Sequence, residues 1–242
     1  RYEFRSFVMR DTMSTSAGKG EYMRRYNEGD FSVGGQLEKA QGDNLTFRAG
    51  IETVLLGASI GDFCLSGQME LKYPIWGREA KIGAYADMSA KESPFYYSNL
   101  HSTYAWWDGD FKKEFRTRFG GYIDLEMTGT RFQLDVENVA NYVYLKNIGG
   151  SYLNEDSVRQ PTYSIKGAQH SGSIQILSAT LQQNFKLGPL HWDNHITYQL
   201  SGNKEIIPLP DLNIFSDLYF KFIYYKRLHM EVGVNALYFT RY

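Results

Sequence analysis

Three titratable residues, His191, Asp193 and His195, recur at every second position of the segment LHWDNHITYQLS, Leu190 to Ser201. On an extended chain that spacing puts all three on one face, with successive members about 7 Å apart. Residues two apart can share a metal ion, whereas the two histidines, four apart, are too distant for one ion unaided. No further His or Cys cluster completes a ligand set, so the residues read as a polar face with no metal and no cofactor. Asp193 and His195 are also the residue types of a hydrolase, which would need a serine as nucleophile. No motif sets a serine beside either histidine, and no enzymatic activity is expected.

A second series carries more charge. Lys112, Glu114, Arg116, Arg118, Asp124 and Glu126 share one side of the stretch from Phe111 to Met127, and Glu70 and Lys72 share one side of the stretch from Asp62 to Tyr73. Their partners on the other side are Phe115, Phe119, Ile123, Leu125, Leu65, Met69 and Leu71. If the charged faces enclose water, opposed acidic and basic clusters set up a transverse field that favours polar, orientable solutes. Otherwise they form the solvated face of a soluble sheet, or a salt-bridged plug without a channel. Lys112, Glu114, Arg116, Arg118, Asp124, Glu126, Glu70, Lys72, His191, Asp193 and His195 are therefore candidate pore-lining residues.

The elements that must position them are strands. In LHWDNHITYQLS the large residues Leu190, Trp192, Ile196, Tyr198 and Leu200 alternate with polar ones, and Asn194 is the one exception. That alternation describes a ribbon with a dry and a wet face, about as long as the roughly 9–11 residues a tilted strand needs to cross a bilayer. Similar patterns run through 45–56, 62–73, 80–88, 130–137, 174–187, 212–225 and 228–238. They give about twelve strand candidates and no amphipathic helix. The 19 Tyr, 15 Phe and 23 Gly against 6 Pro suit strands and turns. No run reaches the roughly eighteen apolar residues of a membrane helix, a test that barrels escape because alternation cancels in any average.

Net charge is -1, so nucleic acid is not an expected partner. The lone Cys64 excludes an intramolecular disulfide and a cysteine zinc cluster. No linker divides residues 1–242, which read as a single domain. The stretches 10–30, 146–173 and 202–210 read as long connections, which leaves loop lengths without clean alternation and the orientation open. A register change is expected near Leu177. Tyr73, Trp76, Trp106, Trp107, Trp192 and Tyr238 gather near strand ends, as aromatic girdles do at the two surfaces of a membrane.

Several segments resemble the putative-porin family of outer-membrane proteins of Bacteroidetes-type bacteria. They are Ser173 to Ala179, Leu181 to Gly188, His191-Trp192-Asp193-Asn194, Leu209-Pro210-Asp211-Leu212, Trp106-Trp107-Asp108, Glu137 to Tyr142 and Tyr238-Phe239-Thr240-Arg241-Tyr242. The resemblance implies an all-β, antiparallel transmembrane β-barrel in the bacterial outer membrane. It would be a meander acting as a passive diffusion channel for small hydrophilic solutes. Its partners would be outer-membrane lipid and those solutes, with a homo-oligomer or association with other outer-membrane proteins left open. Such proteins continue past the YFTRY-like segment, so the chain is expected to lack closing strands and a signal peptide, with about fourteen to sixteen strands in the whole protein. The competing readings are a soluble β-barrel or β-sandwich that binds a ligand and, further off, an outer-membrane barrel hydrolase.

Overall fold

The computed structural model describes residues 1–242 apart from 16–17, 41–43, 76, 103–104, 154–158, 162–163 and 226. The chain begins with β1 (Tyr2–Thr15), β2 (Gly18–Lys39), β3 (Leu45–Gly57), β4 (Phe63–Ile75) and β5 (Arg78–Lys91). An insertion follows, made of α1 (Phe95–Ser98), β6 (Asn99–His101) and β7 (Trp106–Asp108). After β8 (Glu114–Leu125) and β9 (Thr130–Ala140) a second insertion carries β10 (Val143–Asn147), β11 (Ser151–Leu153), β12 (Arg159–Pro161) and β13 (Ile165–Gln169). The chain closes with β14 (Ser173–Leu187), β15 (Leu190–Ser201), β16 (Leu212–Tyr224) and β17 (Leu228–Phe239).

Eleven of these strands form one sheet in the order β1-β2-β3-β4-β5-β8-β9-β14-β15-β16-β17, and each pair is antiparallel. It is a meander, because each strand of the sheet pairs with the ones before and after it in the sheet. Direct cross-strand pairing fixes which side each residue takes. Leu71, Ile82, Ile123, Phe132, Leu181, Ile196, Ile214 and Tyr238 make one continuous apolar row across eight strands. Most of its large side chains are exposed: Leu71 is 43%, Ile82 47% and Tyr238 57% accessible. A face this apolar cannot stay against water.

The two ends of the sheet differ. Connections 40–44, 76–77, 126–129, 188–189 and 225–227 all lie at one end, and left-handed glycines, Gly129 at φ 64° and Gly188 at φ 60°, close two of them. The other end carries 58–62, 202–211 and both insertions, 92–113 and 141–172.

That alternation was hidden in the sequence by the segment 10–30, which is not a loop. Its described residues belong to β1 and β2, and β1 pairs only with the part of β2 from Gly18 to Phe31. This hairpin rises past β3, whose last partner on β2 is Asp30. On its apolar-side positions stand Arg10, Arg25 and Asn27, so the pattern of a half-dry strand is lost. The stretch 146–173 likewise holds the β10–β13 and β11–β12 pairs instead of being mostly loop. β14 keeps one continuous register with both neighbours, so the change expected near Leu177 is absent. Ile174 and Ile176 sit on the polar side of that strand, and this produces the broken pattern.

Candidate functional site

The polar face is built from alternate residues of the same strands. On β8 and β9 every charged residue of this face has an opposite partner in the next strand or two positions along. Arg116 donates to Glu114 at 2.5 Å and to Glu137 at 3.1 Å. Arg118 donates twice to Asp135 Oδ1, at 3.1 and 2.9 Å. Asp124 lies 3.8 Å from Arg131. Asp135 is buried and also accepts from the Tyr85 hydroxyl and, at 2.9 Å, from Gln133. The Tyr122 hydroxyl donates to Glu70 at 2.5 Å, and the Arg131 guanidinium lies 4.1 Å from the Tyr122 ring centre. Positive and negative groups are thus interleaved, where opposed acidic and basic clusters were expected. Each exposed pair contributes little to stability, but together they satisfy the long side chains against one wall.

Of the predicted charged residues, Glu114, Arg116, Arg118 and Asp124 occupy the polar face of β8, and Glu70 and Lys72 that of β4. Glu126 lies in the turn after β8, where Lys81 donates to it at 2.6 Å and holds its carboxyl below the ordinary range. Lys112 is a correction: it precedes β8, and its main chain is tied to Gln169, accepting at 2.6 Å and donating at 3.0 Å. The neighbouring Lys113 is the lysine that reaches a carboxylate, that of Asp62. Asp135, Glu137, Tyr85 and Tyr122 also stand on this face, where the alternation of residues 80–88, 111–127 and 130–137 puts them, although of this wall only their charged neighbours are among the pore-lining candidates.

His191, Asp193 and His195 do share one face of β15, but they do not converge. His191 stacks on Tyr219 at 5.1 Å between ring centres, and the Tyr219 hydroxyl donates to Asp193 at 2.8 Å. His195 stands opposite Gln182 and Phe215. Among the described residues no group of His, Cys, Asp and Glu could hold a metal ion, and no serine hydrogen-bonds to either histidine.

At the end with the long connections the polar face changes character. Val139 and Ile174 face each other across β9 and β14 on the polar side by register, yet both are fully buried. This end of the sheet is the one that carries the two insertions and the connections 58–62 and 202–211, whose Gly202 donates to the Gln175 carbonyl beside Ile174 at 2.8 Å. Trp107 is buried and donates to the Tyr97 carbonyl at 3.0 Å, and Phe95 stacks on Phe7 of β1 at 4.3 Å. His101, also buried, bridges the Arg10 carbonyl at 2.9 Å and Asp108 at 2.8 Å. Beneath the insertion a cavity of about 320 Å³ is bounded by Arg5, Asp30, Glu52, Ser59 and Phe95.

Trp106 and Trp107 therefore belong to β7 of the insertion and not to a girdle, a second correction. Tyr73 and Trp192 stand on the apolar face near the short-turn end, and Tyr238 on the same face near the opposite end. Trp76 lies outside the described residues.

The family model described as Putative porin matches residues 1–242. No curated protein matches the chain. Solved structures that share its fold include two siderophore receptors. One is the siderophore receptor PirA from Acinetobacter baumannii, at 14% identity and TM-score 0.57, over 82% of this chain and 32% of the receptor. The other is the siderophore receptor PirA from Pseudomonas aeruginosa, at 9% identity and TM-score 0.64, over 98% of this chain and 48% of the receptor. The chain thus spans less than half the length of either receptor.

Proposed function

The chain belongs to the Putative porin family, an all-β outer-membrane barrel with a role in transport, and from that premise we propose that it forms a passive diffusion channel for small hydrophilic solutes. The observation that carries this reading is the split between the two faces. One presents an unbroken apolar row to hydrocarbon, and the other lines the enclosure with ion pairs that only water or a polar solute can face. Eleven strands of the barrel wall are present in one sheet. The short-turn end fits the periplasmic side and the insertions the cell exterior, since such barrels carry their long loops outside.

Purified protein in liposomes tests the reading. Swelling in iso-osmotic arabinose or glucose, with discrete conductance steps in a planar bilayer, supports a pore. Folded protein that gives neither removes it. A second reading, a receptor that captures a solute under its outer insertions, draws on the insertions folded over the mouth and on the receptor-like fold. It predicts saturable binding of the solute and no swelling.

A further inference from the structure

In the middle of β5 and β8 two tyrosines and two glycines exchange places. Tyr85 stands directly across from Gly120, and Tyr122 directly across from Gly83, all four on the polar face. A Cβ added at Gly83 would collide with the hydroxyl end of the Tyr122 ring, and one added at Gly120 with that of Tyr85 and, at 2.6 Å, with Asp135 Oδ1. Each ring therefore lies down on the bare main chain of the opposite strand. Glycine inside a strand otherwise weakens it, having no side chain to pack, and a ring laid over it restores contact.

The hydroxyls fix the same geometry. Tyr122 donates to Glu70 one strand beyond Gly83, at 2.5 Å, and Tyr85 reaches Asp135 one strand beyond Gly120. Each ring thus spans the glycine strand to a carboxylate on its far side. Gly233 makes the contrast: it also stands opposite a tyrosine, Tyr219, but its nearest atoms are Tyr219 Cβ and the Leu218 and Tyr219 main chain, and that ring stacks on His191 instead.

We propose that Gly83 and Gly120 set the free width of the lumen along this part of the wall, and with it the size limit for solutes, by letting Tyr122 and Tyr85 lie flat. The inference rests on the pore reading above. With a methyl group at both positions the rings have one free direction to move, away from the wall into the enclosure, and the water-filled section narrows.

The test compares wild type, Gly83→Ala/Gly120→Ala, and that double variant with Tyr85→Ala and Tyr122→Ala added. All are recorded in planar bilayers with polyethylene glycols of graded size. The glycine variant is expected to lose conductance about twofold or more and to exclude smaller polymers, and ring removal is expected to restore both. A conducting wild type whose size limit is unchanged in the glycine variant overturns the proposal alone, and a silent wild type overturns the pore reading. If the glycine variant fails to fold, the wild-type resonances decide: Gly83 and Gly120 α-protons in micelles should be shifted upfield by the rings, and ordinary shifts overturn the proposal.

Discussion

Ser216 donates to Asn194 across β15 and β16, Oγ to Oδ1 at 2.8 Å, on the apolar side of the sheet. The same hydroxyl accepts from Trp192 Nε1 at 2.9 Å. The one polar residue that interrupts the dry side of LHWDNHITYQLS is therefore satisfied by a second polar residue in register with it. In hydrocarbon neither could find water. Ser216→Ala removes the partner of both neighbours and should cost about 1–3 kcal/mol in urea unfolding from liposomes. Asn194→Leu should cost less, because Trp192 keeps its acceptor. Equal and negligible costs would mean the trio faces water.

Charge on the apolar side is the next test. Phe119→Arg and Ile196→Glu each place an ion where the sheet meets lipid, and the arginine should cost about 2–4 kcal/mol if it lies near the bilayer midplane. Thr197→Lys, one residue along β15 and on the polar side, should fold as wild type. Heat-modifiable gel mobility after folding into vesicles reports all three. Equal folding of the three would contradict the assignment of faces.

Asp135 is buried and accepts from Arg118, Gln133 and Tyr85. Asp135→Asn keeps the shape but leaves Arg118 without its counter-ion. Because the Arg118 side chain is 44% exposed, the loss is that of a hydrated pair, about 1–2 kcal/mol, well short of that for a dry one. Arg118→Gln in the same background should then cost little more, a coupling that a double-mutant cycle measures.

Ile174, fully buried beside Val139 at the end of the sheet that carries the insertions, should help hold them against the wall. Ile174→Ala should weaken that docking by about 2–5 kcal/mol while the strands stay paired. Protease added outside intact cells should then cut within 92–113 or 141–172 faster than in wild type. Indistinguishable cutting would mean the insertions are held elsewhere or face the periplasm.

What could be read from the sequence follows from where the two solvents differ. Along β3, β4, β8 and β15 one side meets hydrocarbon and the other water, and alternation there marks the strand and its faces together. Along the β1–β2 hairpin the apolar-side positions carry Arg10, Arg25 and Asn27, while on the other side Phe7 and Tyr26 pack on Phe95 of the first insertion and Met9 is buried, so Arg10 to Asp30 carried no alternation and looked like a loop. At the mouth the polar side is itself covered, and Val139, Ile174 and Ile176 then read as a slipped register. Lys112 kept the parity of Glu114 and Arg116 although the strand had not yet begun. The tyrosine–glycine exchange left only Gly83, Tyr85, Gly120 and Tyr122 in the sequence, and pairing register was needed to bring them together.

The central claim is that β15 has lipid on one side and water on the other. In a Cys64→Ser background, single cysteines from 190 to 201 carrying a nitroxide, folded into liposomes, report collision with oxygen dissolved in the bilayer and with a water-soluble nickel chelate. The account predicts two oscillations of period two in opposite phase, with oxygen highest at 192, 196, 198 and 200 and nickel highest at 193, 195, 197 and 199. Oscillations in phase, or none at all, would contradict it.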